Sequence, residues 1–362
     1  MARLQTLQVT RGVAANLVVL SHLSTIEPKF TGGVLPTFSF YGIAGVDIFF
    51  VVSGFIMVVV GGKSIGAIPF LWRRAARIYP PYWIVSLVVL ATSLIAPAWV
   101  NSSMQGPISL WRSFLLVPDS TLPLLGVAWT LIHEVYFYLV FAIFLALRIP
   151  ILVGLLGWGA VLLIVTILGG DYVMSSPLGR VWTNPLTVEF MMGAAIGVLF
   201  GRTKMRGAAW VGGMGLATLA ASIMLAAPQL QLTTNAYLDA WRVVLFGVPS
   251  ALIIYWLAAL EQKAMRKPAG LLVALGDWSY ATYLIHVLVL SAIGRVIQAI
   301  TPPGPIPSLV LIAVGFLAAN LVGAFIFHFF ERPTLAVLHR FFVTAPVWPS
   351  KATSSGIDPW RI

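Results

Sequence analysis

The sequence predicts an all-α integral membrane protein, a bundle of about ten transmembrane helices, on three observations. Apolar runs of about twenty residues recur from the N-terminus to about position 330, each long enough to cross ~30 Å of hydrocarbon at 1.5 Å per residue. Hydrophobic residues make up 59% of the 362 and charged residues only 9%, with a mean hydropathy of +0.96, far from the roughly 25% charged residues of soluble domains. The basic residues fall mostly between the runs.

In order, the predicted spans are 7–24, 42–61, 81–98, 126–147, 150–168, 185–201, 208–227, 241–260, 278–298 and 308–329. Arg11 and Asn16 interrupt the first apolar stretch and no small-residue cleavage site follows it, so it reads as a retained span. Pro80 and Pro81 are expected to start the third, with Tyr79, Tyr82 and Trp83 as interfacial aromatics. A cluster of Pro302, Pro303, Gly304 and Pro305 separates the last two. One membrane domain over 1–340 and a polar, disordered cytoplasmic tail over 341–362 are expected.

An even number of spans puts both termini on one side. Of the 22 Lys and Arg residues, only Lys29, Arg112, Arg180, Arg242 and Arg295 then fall on the other. By the positive-inside rule this asymmetry places both termini in the cytoplasm, and it accounts for most of the +11 net charge without a nucleic-acid partner. The absence of cysteine excludes disulfides, thiolate metal sites and a Cys nucleophile. There is no Walker loop, no metalloprotease-type His pair and no Gly-x-Ser-x-Gly elbow.

An ionisable residue inside a span costs several kcal/mol, so each needs a partner, a wet cavity or a job. Arg11 and His22 are eleven residues apart, about 1100° of helical rotation, which leaves them roughly 20° from one face and about 16 Å apart along it. One stripe of one helix thus offers a cation towards the cytoplasm and a titratable base towards the outside. The bland reading is an arginine that snorkels to the inner headgroups and a histidine at the outer interface. Asp47, in GVDIFFVVSGFI (Gly45–Ile56), is expected at the depth of His22, where its carboxylate would fix the imidazole tautomer; capping its helix or pairing with another cation is the alternative. Arg74 and Arg77, in FLWRRAARIYPPYW (Phe70–Trp83), present two guanidinium groups at i, i+3 that suit a phosphate-bearing ligand or anionic lipid headgroups. Glu134, in GVAWTLIHEVYFY (Gly126–Tyr138), falls near mid-membrane and reads as cavity-lining, with His133 beside it as a bundle hydrogen-bonder. Glu189 and His286, the latter in SYATYLIH (Ser279–His286), are further buried polar points that line a cavity or bond within the bundle.

Taken in order, Arg11 and His22, GVDIFFVVSGFI, Arg74 and Arg77, WTLIHEVYFY, SYATYLIH and FFERP (Phe329–Pro333) resemble the membrane-bound acyltransferase family 3, in particular its branch of exopolysaccharide acyltransferases, over nearly the whole chain. The resemblance implies a ten-helix bundle in the bacterial inner membrane that moves an acyl group, usually acetyl, from cytoplasmic acyl-CoA to a carbohydrate hydroxyl, on an acceptor that can be lipid-linked. No metal is implied. It also implies that His22 is the essential histidine with Arg11 its partner, that Arg74 and Arg77 bind the donor, and that Glu134 is the family's acidic position. On this reading His22, oriented by Asp47, removes the proton from the attacking hydroxyl; an acyl-enzyme on His22 or Ser53 is the other route. Buried His and Glu residues equally suit the proton relay of a transporter or flippase of a carbohydrate or lipid intermediate, and a non-catalytic export subunit is a third reading.

Overall fold

A computed structural model describes residues 4–36, 41–61, 66–100, 108–226, 240–263 and 270–343, and among them there is no strand. The ten long helices are α1 (Gln5–Phe30), α2 (Ala44–Gly61), α3 (Ala67–Ile95), α4 (Trp129–Ala146), α5 (Ile151–Ser175), α6 (Leu186–Arg202), α7 (Ala208–Ala226), α8 (Ala240–Gln262), α9 (Ser279–Ile300) and α10 (Pro305–Ile326). Among the described residues nine helical stretches are long and apolar enough to cross a membrane, and α7, of which Ala208–Met224 forms a shorter apolar stretch, fills the remaining expected position. The tail beyond Val343 lies outside the described residues, and a terminal helix, Arg332–Val343, carries the chain past the expected domain end at 340.

The third span differs from expectation in where it begins. Helix α3 starts at Ala67, so the basic segment Arg73–Arg77 forms its second and third turns, and Pro80 and Pro81 sit inside it. Each proline removes only its own N–H bond to the carbonyl four residues back. Neighbouring aromatics tie this part of the helix down. Tyr79, Tyr82 and Trp83 donate to the carbonyls of Leu115, Ser113 and Phe114 at the end of a short helix, Leu110–Leu115, where the Ser113 carbonyl also accepts from the Leu116 amide. Tyr82 is fully buried, so this residue at least is a structural latch and not an interfacial float.

Without a hydrophobic driving force between helices in lipid, close backbone approach and polar contacts must hold the bundle. Helices α2 and α6 touch through Gly54 and Gly193. A Cβ at Gly54 would lie 2.0 Å from the Phe190 carbonyl oxygen, and one at Gly193 would lie 1.9 Å from that of Val51. Only glycine permits this contact.

The same region holds the strongest ion pair. Arg242, at the start of α8, is 3% exposed and donates from Nε and Nη2 to the two oxygens of Asp47 at 2.9 and 2.8 Å, with a further bond to the Ile43 carbonyl at 3.2 Å. This bidentate fork joins α8 to the first turn of α2. A π-helical turn, Val243–Gly247, follows directly, and Gly247 packs on the Glu189 carboxyl of α6 so closely that a Cβ there would lie 2.7 Å from Oε1. Three helices therefore meet around one buried charge cluster.

Two stability measurements check this packing. Gly54→Leu is expected to destabilise the detergent-solubilised protein by roughly 1–3 kcal/mol or prevent its accumulation, by overpacking. Gly201→Leu, at a position with nothing within 4 Å, should leave thermal unfolding unchanged. Arg242→Leu should cost about 3–5 kcal/mol by stranding Asp47, and Asp47→Leu combined with Arg242→Leu should recover most of that loss.

Candidate active site in two cavities

Two concavities enter the bundle, and α1 serves both. The first, of about 140 Å³, is lined by Arg11 of α1, by Arg73, Arg74 and Arg77 of α3, by Ser53 of α2, and by Glu134 and Tyr138 of α4. The second, of about 640 Å³, is lined by His22 of α1, His133 of α4 and residues of the loop before α4. The predicted stripe of α1 is thus real: its arginine faces one cavity and its histidine the other.

In the first cavity Glu134 is the acceptor for two hydroxyls, Ser53 Oγ at 3.0 Å and Tyr138 OH at 2.5 Å, both on Oε1. Arg74 lies over the faces of Phe70 and Tyr138, 5.5 and 5.6 Å from the ring centroids, which leaves the edge of its planar fork for a ligand. Arg77 stands 3.9 Å from Glu331 Oε1. Arg11 donates to Gln8 Oε1 at 3.1 Å, and Gln8 in turn donates to Asp277 at 2.8 Å. Four guanidinium groups around a small pocket form a site for a polyanion.

In the second cavity the tautomers follow from the hydrogen bonds. A backbone carbonyl only accepts, so the 3.0 Å contact of His22 Nδ1 with the Val18 oxygen puts the hydrogen on Nδ1. Nε2 then carries the free lone pair, as a general base requires. His133 Nδ1 and His286 Nδ1 make the same kind of bond, to Trp129 at 3.0 Å and Tyr283 at 2.7 Å. The ring of His286 packs edge to face on His22, centroids 4.7 Å apart.

A thin polar wall separates the cavities. Tyr283, of α9, donates to the Val127 carbonyl at 2.9 Å and lies 2.8 Å from Thr130 Oγ1. Tyr283 and Thr130 line the first cavity while Val127 lines the second.

Against the sequence reading, Arg11, Arg74, Arg77, Ser53 and Glu134 come together, and His22 faces the other side of the wall. Three expectations need correction. Asp47 does not orient His22, because both its oxygens are taken by Arg242; the Val18 carbonyl and the His286 ring hold the imidazole instead. Glu189 lines neither cavity and is packed beside the Asp47–Arg242 pair. His286 also lines neither, being fully buried behind His22. Sequence reasoning missed Glu331, the buried partner of Arg77, and Tyr138, the second donor to Glu134. Glu331 lies in FFERP, at the end of a π-helical turn Phe327–Glu331, and a charged residue at the end of an apolar run was the available signal. No cluster that could hold a metal ion occurs among the described residues.

Comparison with known proteins identifies the family. The chain is 30% identical to the exopolysaccharide production protein ExoZ of Rhizobium meliloti (strain 1021) over 310 residues, 81% of this chain and 90% of that protein. It is 25% identical to the acyltransferase MdmB of Streptomyces mycarofaciens over 373 residues, 93% of each chain. No solved structure matches. Residues 4–329 match the family described as an acyltransferase domain, so that the ten long helices and nearly all of the cavity-lining residues fall within it. The chain belongs to this acyltransferase family, the membrane-bound acyltransferase family 3 that its motifs resemble, and is a multi-pass membrane acyltransferase similar to ExoZ.

Proposed function

We propose that this chain is an O-acyltransferase that takes an acyl group, most simply acetyl, from cytoplasmic acyl-CoA and delivers it to a hydroxyl of an exopolysaccharide or another surface carbohydrate outside the bacterial inner membrane. The observation that carries the reading is one helix serving two cavities, its Arg11 among the α3 arginines and its His22 in the larger chamber beyond the wall. The basic asymmetry of the loops supports a cytoplasmic side for the arginine cavity and both termini. The exopolysaccharide role in the name of ExoZ supports a carbohydrate acceptor.

Coenzyme A carries several phosphate charges and does not cross lipid, so its nucleotide docks where the guanidinium groups gather, against Arg73, Arg74 and Arg77. Its narrow pantetheine arm then runs past Tyr283 and Thr130 towards His22. In the larger chamber His22 Nε2 accepts the proton of the acceptor hydroxyl as the oxygen attacks the thioester carbonyl carbon. The carbon–sulfur bond breaks, and the proton passes from the imidazolium to the departing thiolate, which leaves His22 neutral for the next cycle. Val18 and His286 fix the ring during both proton transfers. Ser53 and Tyr138 keep the Glu134 carboxylate hydrogen-bonded beside the arginines, where it balances part of their charge before the donor arrives.

Two outcomes are expected for purified protein assayed with radiolabelled acetyl-CoA and surface polysaccharide from a deletion strain. His22→Ala should lower turnover by roughly 100-fold or more while acetyl-CoA still binds. Arg74→Gln and Arg77→Gln should each raise the KM for acetyl-CoA by roughly tenfold with a smaller change in kcat, as expected for the loss of one charge-assisted contact. A His22→Ala protein that retained full turnover would overturn the assignment of the base.

A further inference from the structure

Acyl transfer does not by itself require the buried amide that α1 carries one turn before Arg11. Gln8 is 2% exposed and its side chain is bonded at both ends. Its Nε2 donates to Asp277 Oδ1 at 2.8 Å, and its Oε1 accepts from Arg11 Nη1 at 3.1 Å. The orientation of this amide is forced. A carboxylate only accepts and a guanidinium only donates, so the flipped amide would set oxygen against oxygen and N–H against N–H. Asp277 therefore decides which way Gln8 points, and Gln8 presents its oxygen to Arg11.

Backbone packing brings Asp277 within range. It ends a short helix, Gly270–Asp277, that lies against α1. A Cβ at Gly276 would lie 2.0 Å from the Gln8 carbonyl oxygen, and one at Gly12 would lie 2.9 Å from the Gly276 amide nitrogen. With no side chain at either position, the two backbones touch where Gln8 reaches across. Asp277 stands just before α9, whose Tyr283 lines the arginine cavity together with Arg11.

Arg11 gains a direction from this chain of bonds. A guanidinium is planar, so holding Nη1 fixes where its other N–H donors point. A long side chain that is pinned in advance has less rotamer freedom to lose when a ligand arrives. The neutral amide suits this task. Its oxygen grips a guanidinium less strongly than a carboxylate would, so it aims the fork without competing strongly against a phosphate.

We propose that Gln8 and Asp277 are positioning residues for the donor, which together aim the Arg11 guanidinium at a phosphate oxyanion of acyl-CoA in the arginine cavity. This rests on the acyl-CoA reading above and adds two residues that act without touching the donor. Asp277 holds Gln8, Gln8 holds Arg11, and Arg11 meets the oxyanion.

The test is equilibrium binding of coenzyme A to full-length protein in phosphatidylcholine nanodiscs, with kcat measured at saturating acetyl-CoA. Gln8→Met nearly keeps the side-chain volume and removes both bonds. It should weaken coenzyme A binding by about tenfold, with kcat within about threefold of wild type. Asp277→Leu should do the same, whereas Asp277→Asn, whose amide oxygen still accepts from Gln8, should stay within about threefold of wild-type affinity. The decisive comparison repeats Gln8→Met and Asp277→Leu in an Arg11→Gln background. There each should add less than about twofold, because the side chain they aim is gone. A role in packing alone would cost the same with and without Arg11. Unchanged affinity in Gln8→Met, an equal loss in both backgrounds, or an Asp277→Asn protein as weak as Asp277→Leu would overturn the proposal. If Gln8→Met does not accumulate, the Asp277 variants decide by the same comparison. A wild-type protein that does not bind coenzyme A removes the acyl-CoA reading and this proposal with it, whereas binding indifferent to these substitutions removes this proposal alone.

Discussion

A charge inside hydrocarbon must be answered by another charge or by water, and the arrangement of this bundle follows from how each of its charges is answered. Asp47 and Arg242 answer each other completely, through a two-point fork that pulls α8 against α2 and sets the depth of both. With α2 fixed there and locked to α6 through Gly54 and Gly193, the six-residue offset from Asp47 to Ser53, about 1.7 turns, decides which residues of α2 reach the arginine cavity. Arg11, Arg73, Arg74 and Arg77 line one cavity and His22 and His133 the other, while Glu189 stays packed beside the Asp47–Arg242 pair.

Those remaining charges divide into two groups of opposite use. Arg11, Arg73, Arg74 and Arg77 share one pocket with Glu134, with Glu331 near Arg77, and four guanidinium groups in one concavity suit phosphate. The histidines are answered differently. Each uses Nδ1 on a carbonyl of its own helix, which costs the bundle nothing in lost backbone bonding at a helix that is already complete, and which leaves the lone pair on Nε2. The Tyr283, Thr130 and Val127 hydrogen bonds form the wall between these two environments.

The spans, the stripe of α1 and the arginine pair were legible because they depend on local periods: twenty apolar residues, 100° per residue, i and i+3. Their partners were not. Asp47 meets a residue 195 positions away, and nothing in GVDIFFVVSGFI distinguishes a carboxylate that will face an imidazole from one that will face a guanidinium. The same limit applies to Glu331, whose side chain turns inward through a π-helical turn that a regular 3.6-residue count does not anticipate. Arg242 was read as a loop cation on the outer face, whereas Arg180, read in the same way, does line a cavity. Long-range pairing, and not composition, separates the two.

The central claim is that donor and acceptor enter from opposite sides and meet at His22. A cryo-electron-microscopy structure of the protein in nanodiscs with a non-hydrolysable acetyl-CoA analogue tests it most directly. The account predicts the adenosine phosphates among Arg73, Arg74 and Arg77, the pantetheine arm threaded past Tyr283, and the acyl carbon in reach of His22 Nε2. An analogue bound wholly within the chamber that holds His22, or one whose acyl group stops at Ser53 on the arginine side of the wall, would contradict it.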